Sequence, residues 1–372
     1  MNEERKRILK LVEAGKLSAN EAITLLEALE DKGNEKTTKA EQTKHIVNEV
    51  STNVQPENKH TKDDQKTHHY KQSSVKSKLT EFIDSAVKKI KDLDLDFNFG
   101  NAVEVNHIFQ HSDALVQNLD VDVSNGSVEI IPWNENDVRV ECKVKVYNLE
   151  SIEKARESFL DEVVFSIDNH KLIFAVQKKQ MKVLAKIYVP RVQYEHVKVR
   201  MFNGPISGED LEVSTFRAKT ANGTIKVAKI NSIYMELETA NGQIDLKDSS
   251  SKECEIETIN GAIKVDGRYE KLDAQSFSGN IVCYLPGEDC HTIGVKTTAG
   301  NIDIDTSITR NIDGELKSTL GGFNCEIPHM NIVKEKNEVV QKYLRFKTTT
   351  DHENKLYMFA ETKTGSINIK PI

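Results

Sequence analysis

A glycine recurs about every nineteen residues through the second half of this chain. Four segments show the pattern clearly: FRAKTANGTIKV, MELETANGQIDL, CEIETINGAIKV and IGVKTTAGNIDI. Aligned on that glycine, the marks fall at Gly204, Gly223, Gly242, Gly261, Gly279, Gly300 and Gly321, in steps of 19, 19, 19, 18, 21 and 21 residues. Gly126 and Gly365 stand in similar contexts further away. A fixed period of this length indicates a repeat architecture.

Around each glycine, every second position is apolar or small. The position two residues after it holds Ile206, Ile225, Ile244, Ile263, Ile281, Ile302 and Phe323. The position three residues before it holds Thr220, Thr239, Thr258, Ser276 and Thr297. Alternation with period two is typical of a half-buried strand, and the Asn that often precedes the glycine favours a turn. Each unit is therefore strand, turn, strand, and only stacked units would bury a continuous core.

Two mainly β architectures fit these columns. One is a β-solenoid of about 19-residue repeats, and the other is a meander or barrel of Asn-Gly hairpins. The nearly constant steps and the recurrence of like residues favour the solenoid. Parallel stacking would also bring Lys226, Asp245 and Lys264 together as an outward ion-pair ladder. We therefore predict a β-strand-repeat domain over 93–372, with its regular ladder over about 195–330.

The region 101–200 predicts a less regular β structure. Its strand candidates are 137–147, 163–168, 171–177 and 183–189, and a helix from Ile152 to Leu160 interrupts them.

Residues 1–30 predict a small antiparallel helical hairpin. Gly15 separates its two halves, and Ser18 with Glu21 forms a capping box at the start of the second helix. Such a hairpin is too small to bury a stable core alone, so it must dock on its own chain, a second copy or another protein. The docking residues that we expect are Ile8, Leu9, Val12, Ile23, Leu26 and Leu29.

A polar linker and a further helix follow the hairpin. Residues 31–72 have the composition of a disordered, flexible tether. Residues 73–92 predict an amphipathic helix whose apolar face includes the docking candidates Phe82 and Ile83. This helix caps the following domain, pairs with the N-terminal hairpin, or lies on an anionic membrane. We favour the first two roles over the membrane, so that any membrane association is peripheral or indirect.

Composition limits the partners and the compartment. The 372 residues carry a net charge of −7, which argues against a nucleic-acid partner. No run reaches the ~18 apolar residues of a membrane helix, and the first residues lack the apolar core of a signal peptide. Five scattered cysteines fit a reducing compartment. We expect a cytoplasmic protein that is at most peripheral to a membrane.

No catalytic motif is present in the sequence. It contains no phosphate-binding loop, no nucleophile elbow and no paired cysteines with zinc spacing, so we expect no catalytic residue, no cofactor and no metal. Cys254, Cys283 and Cys325 fall in apolar columns and predict buried structural thiols.

One cluster of acidic residues is a candidate interaction face. If the coils stack in parallel, five carboxylates share one outward surface that could take a cation or a basic partner. They are Glu236, Glu238, Glu255, Glu257 and Asp273. A solvated face with screened repulsion is the simpler interpretation. A carbohydrate-active solenoid enzyme would also need clustered carboxylates, but no acid with a partner base stands out.

The repeat block, the entry segment LAKIYVPR and the leading hairpin RKRILKLVEAGKLSANEAITLLEAL together resemble a known bacterial layout. The chain is similar to the candidate-adhesin family of β-strand-repeat proteins, and its N-terminal hairpin resembles the SHOCT-like oligomerisation module. The resemblance implies a β-helix-like domain in Gram-positive bacteria and a link to cell-envelope stress in some relatives. It implies no catalytic residues. We expect a non-enzymatic scaffold that binds protein partners, itself included, with a carbohydrate-active enzyme and a direct lipid sensor as alternatives.

Overall fold

The computed structural model describes residues 101–338, 341–349 and 354–372, and these residues form twenty strands and one helix. The first half contains β1 (Ala102–His111), β2 (Asn118–Trp133), β3 (Val138–Tyr147), α1 (Ile152–Glu162), β4 (Val163–Asp168), β5 (Lys171–Val176), β6 (Met181–Pro190), β7 (Gln193–Asn203), β8 (Ile206–Asn222) and β9 (Ile225–Asn241). The second half contains β10 (Ile244–Asn260), β11 (Ile263–Ser278), β12 (Ile281–Leu285), β13 (Thr292–Ala299), β14 (Ile302–Thr306), β15 (Asn311–Ser318), β16 (Phe323–Cys325), β17 (Met330–Asn337), β18 (Lys342–Thr348), β19 (Lys355–Thr362) and β20 (Ile367–Pro371).

Successive repeats pair in parallel, which confirms the solenoid and excludes the hairpin meander for this block. Ile244 pairs with Ile225 on one side and with Ile263 on the other. The two ends of a hairpin run antiparallel, whereas β7 to β11 all run in one direction. Ile244 and Ile263 are fully buried in adjacent coils, as the alternation predicts.

The Asn-Gly turns stack on one another because the glycine permits close approach of the backbones and the asparagine bonds to the neighbouring coil. A Cβ on Gly223 would lie 2.0 Å from the carbonyl oxygen of Gly204, so no other residue fits there. The preceding asparagines form a ladder in which Asn241 Nδ2 donates to Asn222 Oδ1 over 2.8 Å. The buried hydroxyl of Thr239 donates to the Gly223 carbonyl over 3.0 Å. Like residues therefore recur because each asparagine bonds to the asparagine of the neighbouring coil, and each threonine bonds to the glycine carbonyl of the coil before.

A second corner lies six residues after the glycine. Asp210, Lys229 and Asp248 occupy it with φ values of 59°, 52° and 48°. This left-handed conformation is costly for most residues and least so for Gly, Asn and Asp. Lys229 is thus the strained member of the column.

The coils do not stack in chain order at either end. β2 lies between the β5–β6 coil and β7, although β5 and β6 follow it in the chain. The last coil, β19–β20, lies between β13–β14 and β15–β16. The order of the glycines in the sequence suggests that Gly321 stacks on Gly300. This is wrong, because Gly365 lies between them.

Antiparallel strands and one helix cover the two ends. At the first end, β3 pairs with β6, β1 with β3, and β4 with β5. Phe159 of α1 packs there against Phe109, with ring centroids 6.2 Å apart, and Phe109 stacks on Phe165 at 5.0 Å. At the other end, β18 runs antiparallel to β15, and β17 to β18. The helix and the strand candidates predicted within 101–200 match α1, β3, β4, β5 and β6.

The cysteines and the corner ladder are partly as predicted. Cys254 and Cys283 are fully buried, and burial raises the pKa of both thiols, so they are structural. Cys325 is only half-buried because its strand is the last of its column, which corrects the prediction for that residue. Lys226, Asp245 and Lys264 are in register, but the described residues include no ion pair among them.

The remaining predictions concern residues outside the described part of the chain. They are the hairpin 1–30, the linker 31–72 and the helix 73–92, with the docking residues Ile8, Leu9, Val12, Ile23, Leu26, Leu29, Phe82 and Ile83. Within the described ranges, no helix is both long and apolar enough to cross a bilayer.

Candidate interaction face

The five predicted carboxylates lie on the outward side of three consecutive coils, and we call them the acid face. One column runs Arg217, Glu236, Glu255, Asp273, and its neighbour runs Lys219, Glu238, Glu257, Gln275. The alternation of the strand directs these side chains away from the core, since the residues between them are buried. Parallel coils lie ~4.8 Å apart, so the carboxylates of successive coils are close neighbours.

The coil before the acid face supplies cations to its first row. Lys219 Nζ bonds to Glu236 Oε1 at 2.8 Å and to Glu238 Oε1 at 2.9 Å. Arg217 Nε bonds to Glu236 Oε2 at 2.9 Å. The side chains of Glu236 and Glu238 are only 14% and 17% exposed, so these bonds hold nearly buried carboxylates.

The pKa values of this pair move in opposite directions. Burial raises the pKa of Glu238 above its ordinary value, and the neighbouring Glu236 adds to the rise, against the effect of Lys219. Burial acts on Glu236 as well, but hydrogen bonds from Lys219 and Glu238, with the charge of Arg217, lower its pKa. Glu238 is thus the member that takes up a proton first.

The second and third rows hold the remaining acids. Tyr234 donates from its hydroxyl to Glu255 Oε2 over 3.3 Å, and Gln275 Nε2 donates to Asp273 Oδ1 over 2.7 Å. Arg217 lies over the Tyr234 ring, 5.5 Å from its centroid. Sequence reasoning missed Tyr234, although its position, two residues before Glu236 on the same strand, gives it the same outward direction.

An apolar column borders the acid face next to the glycine turns. It contains Ala221, Ala240, Ile259 and Phe277, each two residues before a column glycine. Ala240 is buried, Ala221 and Ile259 are half-buried, and Phe277 is 38% exposed. The outward surface therefore combines carboxylates with an adjoining apolar edge.

The chemistry of these residues is that of a charged surface. Among the described residues, no group of three or more His, Cys, Asp or Glu side chains is placed to hold a metal ion.

Comparisons with known proteins agree with the sequence resemblance. Residues 116–370 match the Toastrack DUF4097 family, and residues 3–34 match the SHOCT-like domain. A curated relative, the uncharacterized protein YvlB of Bacillus subtilis (strain 168), is 42% identical over 373 residues, covering 100% of this chain and 99% of the relative.

Solved structures with weaker similarity include three bacterial proteins. A candidate cell-adhesion protein from Clostridium sporogenes has 12% identity and a TM-score of 0.26, covering 73% of this chain and 100% of that one. A candidate adhesin from Bacteroides fragilis has 12% identity and a TM-score of 0.37, covering 72% and 97%. A candidate lipid-binding protein from Parabacteroides distasonis has 12% identity and a TM-score of 0.38, covering 73% and 98%. Scores this low carry no inference about this chain. The family match and the YvlB similarity do, and they establish that the chain belongs to the Toastrack DUF4097 family.

Proposed function

We propose that this protein is a non-enzymatic scaffold whose solenoid binds a protein partner through the acid face. The observation that carries the proposal is the concentration of five carboxylates on the outward side of three consecutive coils. Lys219 and Arg217 on the preceding coil bond to the first row of acids, and the rows of Glu255 and Asp273 follow it. Closely spaced carboxylates on one surface attract a basic partner through charge complementarity.

The apolar column beside the acid face restricts the kind of protein that could bind there. Phe277 and Ile259 border the carboxylates, so a partner with lysines or arginines beside an apolar patch would match both features. An interface of this kind uses charge for orientation and apolar contact for affinity. The coil-to-coil hydrogen bonds keep the face rigid, which reduces the entropy lost on binding.

The binding test compares charge-reversal variants of the full chain. Lysate proteins retained by the wild type should be lost with Glu255→Lys/Glu257→Lys. They should be kept with Lys226→Glu/Lys264→Glu, which reverses two exposed charges beyond the glycine turn. If all three proteins retain the same lysate proteins, the acid face takes no part in binding.

The N-terminal hairpin is proposed to dock on a second copy or on another protein. The support is its match to the SHOCT-like domain and its six apolar docking residues. Comparing the full chain with a truncation that starts at residue 73 tests this. If neither the partners nor the oligomeric state change, the hairpin has no part in binding.

The rival function is carbohydrate-active catalysis on the solenoid surface. We expect no release of reducing ends from bacterial cell-wall polysaccharides. Turnover by the wild type that Glu255→Gln/Glu257→Gln abolishes, with folding unchanged, would replace the scaffold proposal with an enzyme.

The proposed setting is the envelope-stress response of a Gram-positive bacterium, and it rests on the family resemblance. A strain lacking the protein should respond differently to a membrane-active antimicrobial. Wild-type protein should restore the response and Glu255→Lys/Glu257→Lys should not. An unchanged response in the deletion strain would contradict this setting without affecting the binding proposal.

A further inference from the structure

The surface of α1 carries apolar residues that are exposed to solvent and not buried against the solenoid. Ala155 and Phe159 face inward and are fully buried, whereas Ile152 and Leu160 are 58% and 41% exposed. Ile152, Arg156 and Leu160 recur every four residues and line one shallow open groove. None of these residues belongs to the acid face, so this surface plays no part in the proposed function.

Charge on α1 alternates in three blocks along the helix. Its first turn carries Glu153, its middle carries Lys154 and Arg156, and its end carries acids again. The closing acidic block consists of Glu157 and Asp161, whereas Glu162 is bonded to Lys178. The order along the helix is therefore negative, positive, negative.

The segment 73–92 carries the reverse order. Its first block is Lys76 and Lys78, its middle block is Glu81 and Asp84, and its last block is Lys88, Lys89 and Lys91, followed by Asp92. Its apolar stripe consists of Val75, Leu79, Phe82, Ile83, Ala86, Val87 and Ile90. The two sequences are thus complementary block by block, and an apolar stripe accompanies the charges in both.

Chain connectivity keeps this segment close to α1. β1 begins at Ala102, and its residues His107 and Phe109 pack against Phe159 of α1, with ring centroids 6.1 Å and 6.2 Å away. Residues 93–101 separate the segment from β1, and nine residues reach at most ~30 Å. A tether this short produces an effective concentration of about millimolar, so a small contact area is sufficient.

We propose that residues 73–92 form a helix that docks on the outward surface of α1. Its apolar stripe covers Ile152 and Leu160, and its lysine blocks face the acidic blocks of α1. The same three-block pattern permits either direction of the docked helix. The contact is within one chain and independent of protein concentration.

Amide hydrogen exchange of residues 75–91 in the full-length chain tests the proposal. We expect exchange about tenfold faster or more in Ile152→Asp/Leu160→Asp than in the wild type. The matched control is Ile332→Asp/Val333→Asp, which changes two residues of β17 that are similarly exposed, at 54% and 56%. The control should leave exchange unchanged. Equal exchange in the wild type and in Ile152→Asp/Leu160→Asp would overturn the proposal, as would protection that rises with protein concentration.

A charge-swap series provides the second measurement. Glu157→Lys/Asp161→Lys should also accelerate exchange. Adding Lys88→Glu/Lys89→Glu restores protection for one direction of the helix, and adding Lys76→Glu/Lys78→Glu restores it for the other. Rescue by either pair supports the docking, and rescue by neither contradicts it. Glu255→Lys/Glu257→Lys should have no effect, so failure of this inference is distinguishable from failure of the acid-face proposal.

Discussion

Gly365 packs directly on the carbonyl oxygen of Gly300. A Cβ at residue 365 would lie 1.9 Å from that oxygen. The contact inserts the last coil of the chain between two coils that precede it, so the C-terminus completes the column of glycines.

The first prediction concerns this contact. Gly365→Ala should lower the free energy of unfolding by about 3 kcal/mol, because the clash is with backbone that cannot move aside. Gly322→Ala is the control, since its added Cβ meets nothing within 4 Å and should change stability by less than about 1 kcal/mol. Chemical denaturation of both variants checks this. Similar stability for the two would show that Gly365 does not stack on Gly300.

The second prediction concerns the core column. Ile263 is fully buried between Ile244 and Ile281, so Ile263→Asp should cost more than about 4 kcal/mol or prevent folding. Val282→Asp makes a similar change at a side chain that is 38% exposed, and it should be tolerated. Thermal unfolding distinguishes them, and full stability of Ile263→Asp would refute the inward assignment of this column.

A third prediction concerns Lys219, the cation that Glu236 and Glu238 of the acid face share. Lys219→Met removes the bonds that hold Glu236 and Glu238, and should cost about 1–3 kcal/mol at pH 7. Without this cation the pKa of both carboxyls rises in the folded state. The variant then binds protons more tightly when folded than when unfolded and regains stability as the pH falls toward 5.

In the wild type the two acids have opposite effects. The stability that Glu236 provides is present above its unfolded pKa and is lost as the pH falls through its lower folded pKa. Glu238, with its raised folded pKa, favours the folded state as it takes up a proton. The difference between wild type and Lys219→Met should therefore be larger at pH 7 than at pH 5. Lys226→Met, which removes an exposed lysine, is the control, and a pH-independent difference would contradict the linkage.

The fourth prediction relieves the strain at the second corner. Lys229 has a φ of 52°, so Lys229→Gly should raise the free energy of unfolding by up to about 1 kcal/mol. Lys226→Gly makes the same change on an extended part of β9 and should lower it by about 0.5–1 kcal/mol. Urea denaturation measures both, and destabilisation by Lys229→Gly would show that this corner carries no strain.

The fifth prediction concerns membranes. The purified chain should float weakly or not at all with anionic vesicles at physiological salt. Each lysine near such a surface contributes about 1 kcal/mol, and five nearby acids offset most of that attraction: Glu81, Asp84, Asp92, Asp94 and Asp96. Strong flotation that Phe82→Asp abolishes would instead favour direct lipid sensing.

The spacing of the glycines was sufficient to predict stacked coils and their buried columns. Ile244 and Ile263 face inward as the alternation requires, because period two leaves each strand only one apolar side. The same alternation identified the five acids as neighbours on one surface. These features depend on local pattern, and the stacking of like on like repeats that pattern from coil to coil.

Only the tertiary structure decided the order of the coils and the partners of the acids. Ile302 pairs with Ile367, yet an equally apolar Phe323 was available nearer in the chain. Because the repeats have the same apolar columns, the sequence does not show which coil pairs with which. That pairing depends on the path of the segments that connect the coils. The carboxylates of Glu236 and Glu238 are nearly buried because Lys219 of the adjoining coil reaches both. Their bonds to Lys219 and Arg217 depend on the neighbouring coil, which lies across the sheet, and not on the order of residues along the strand.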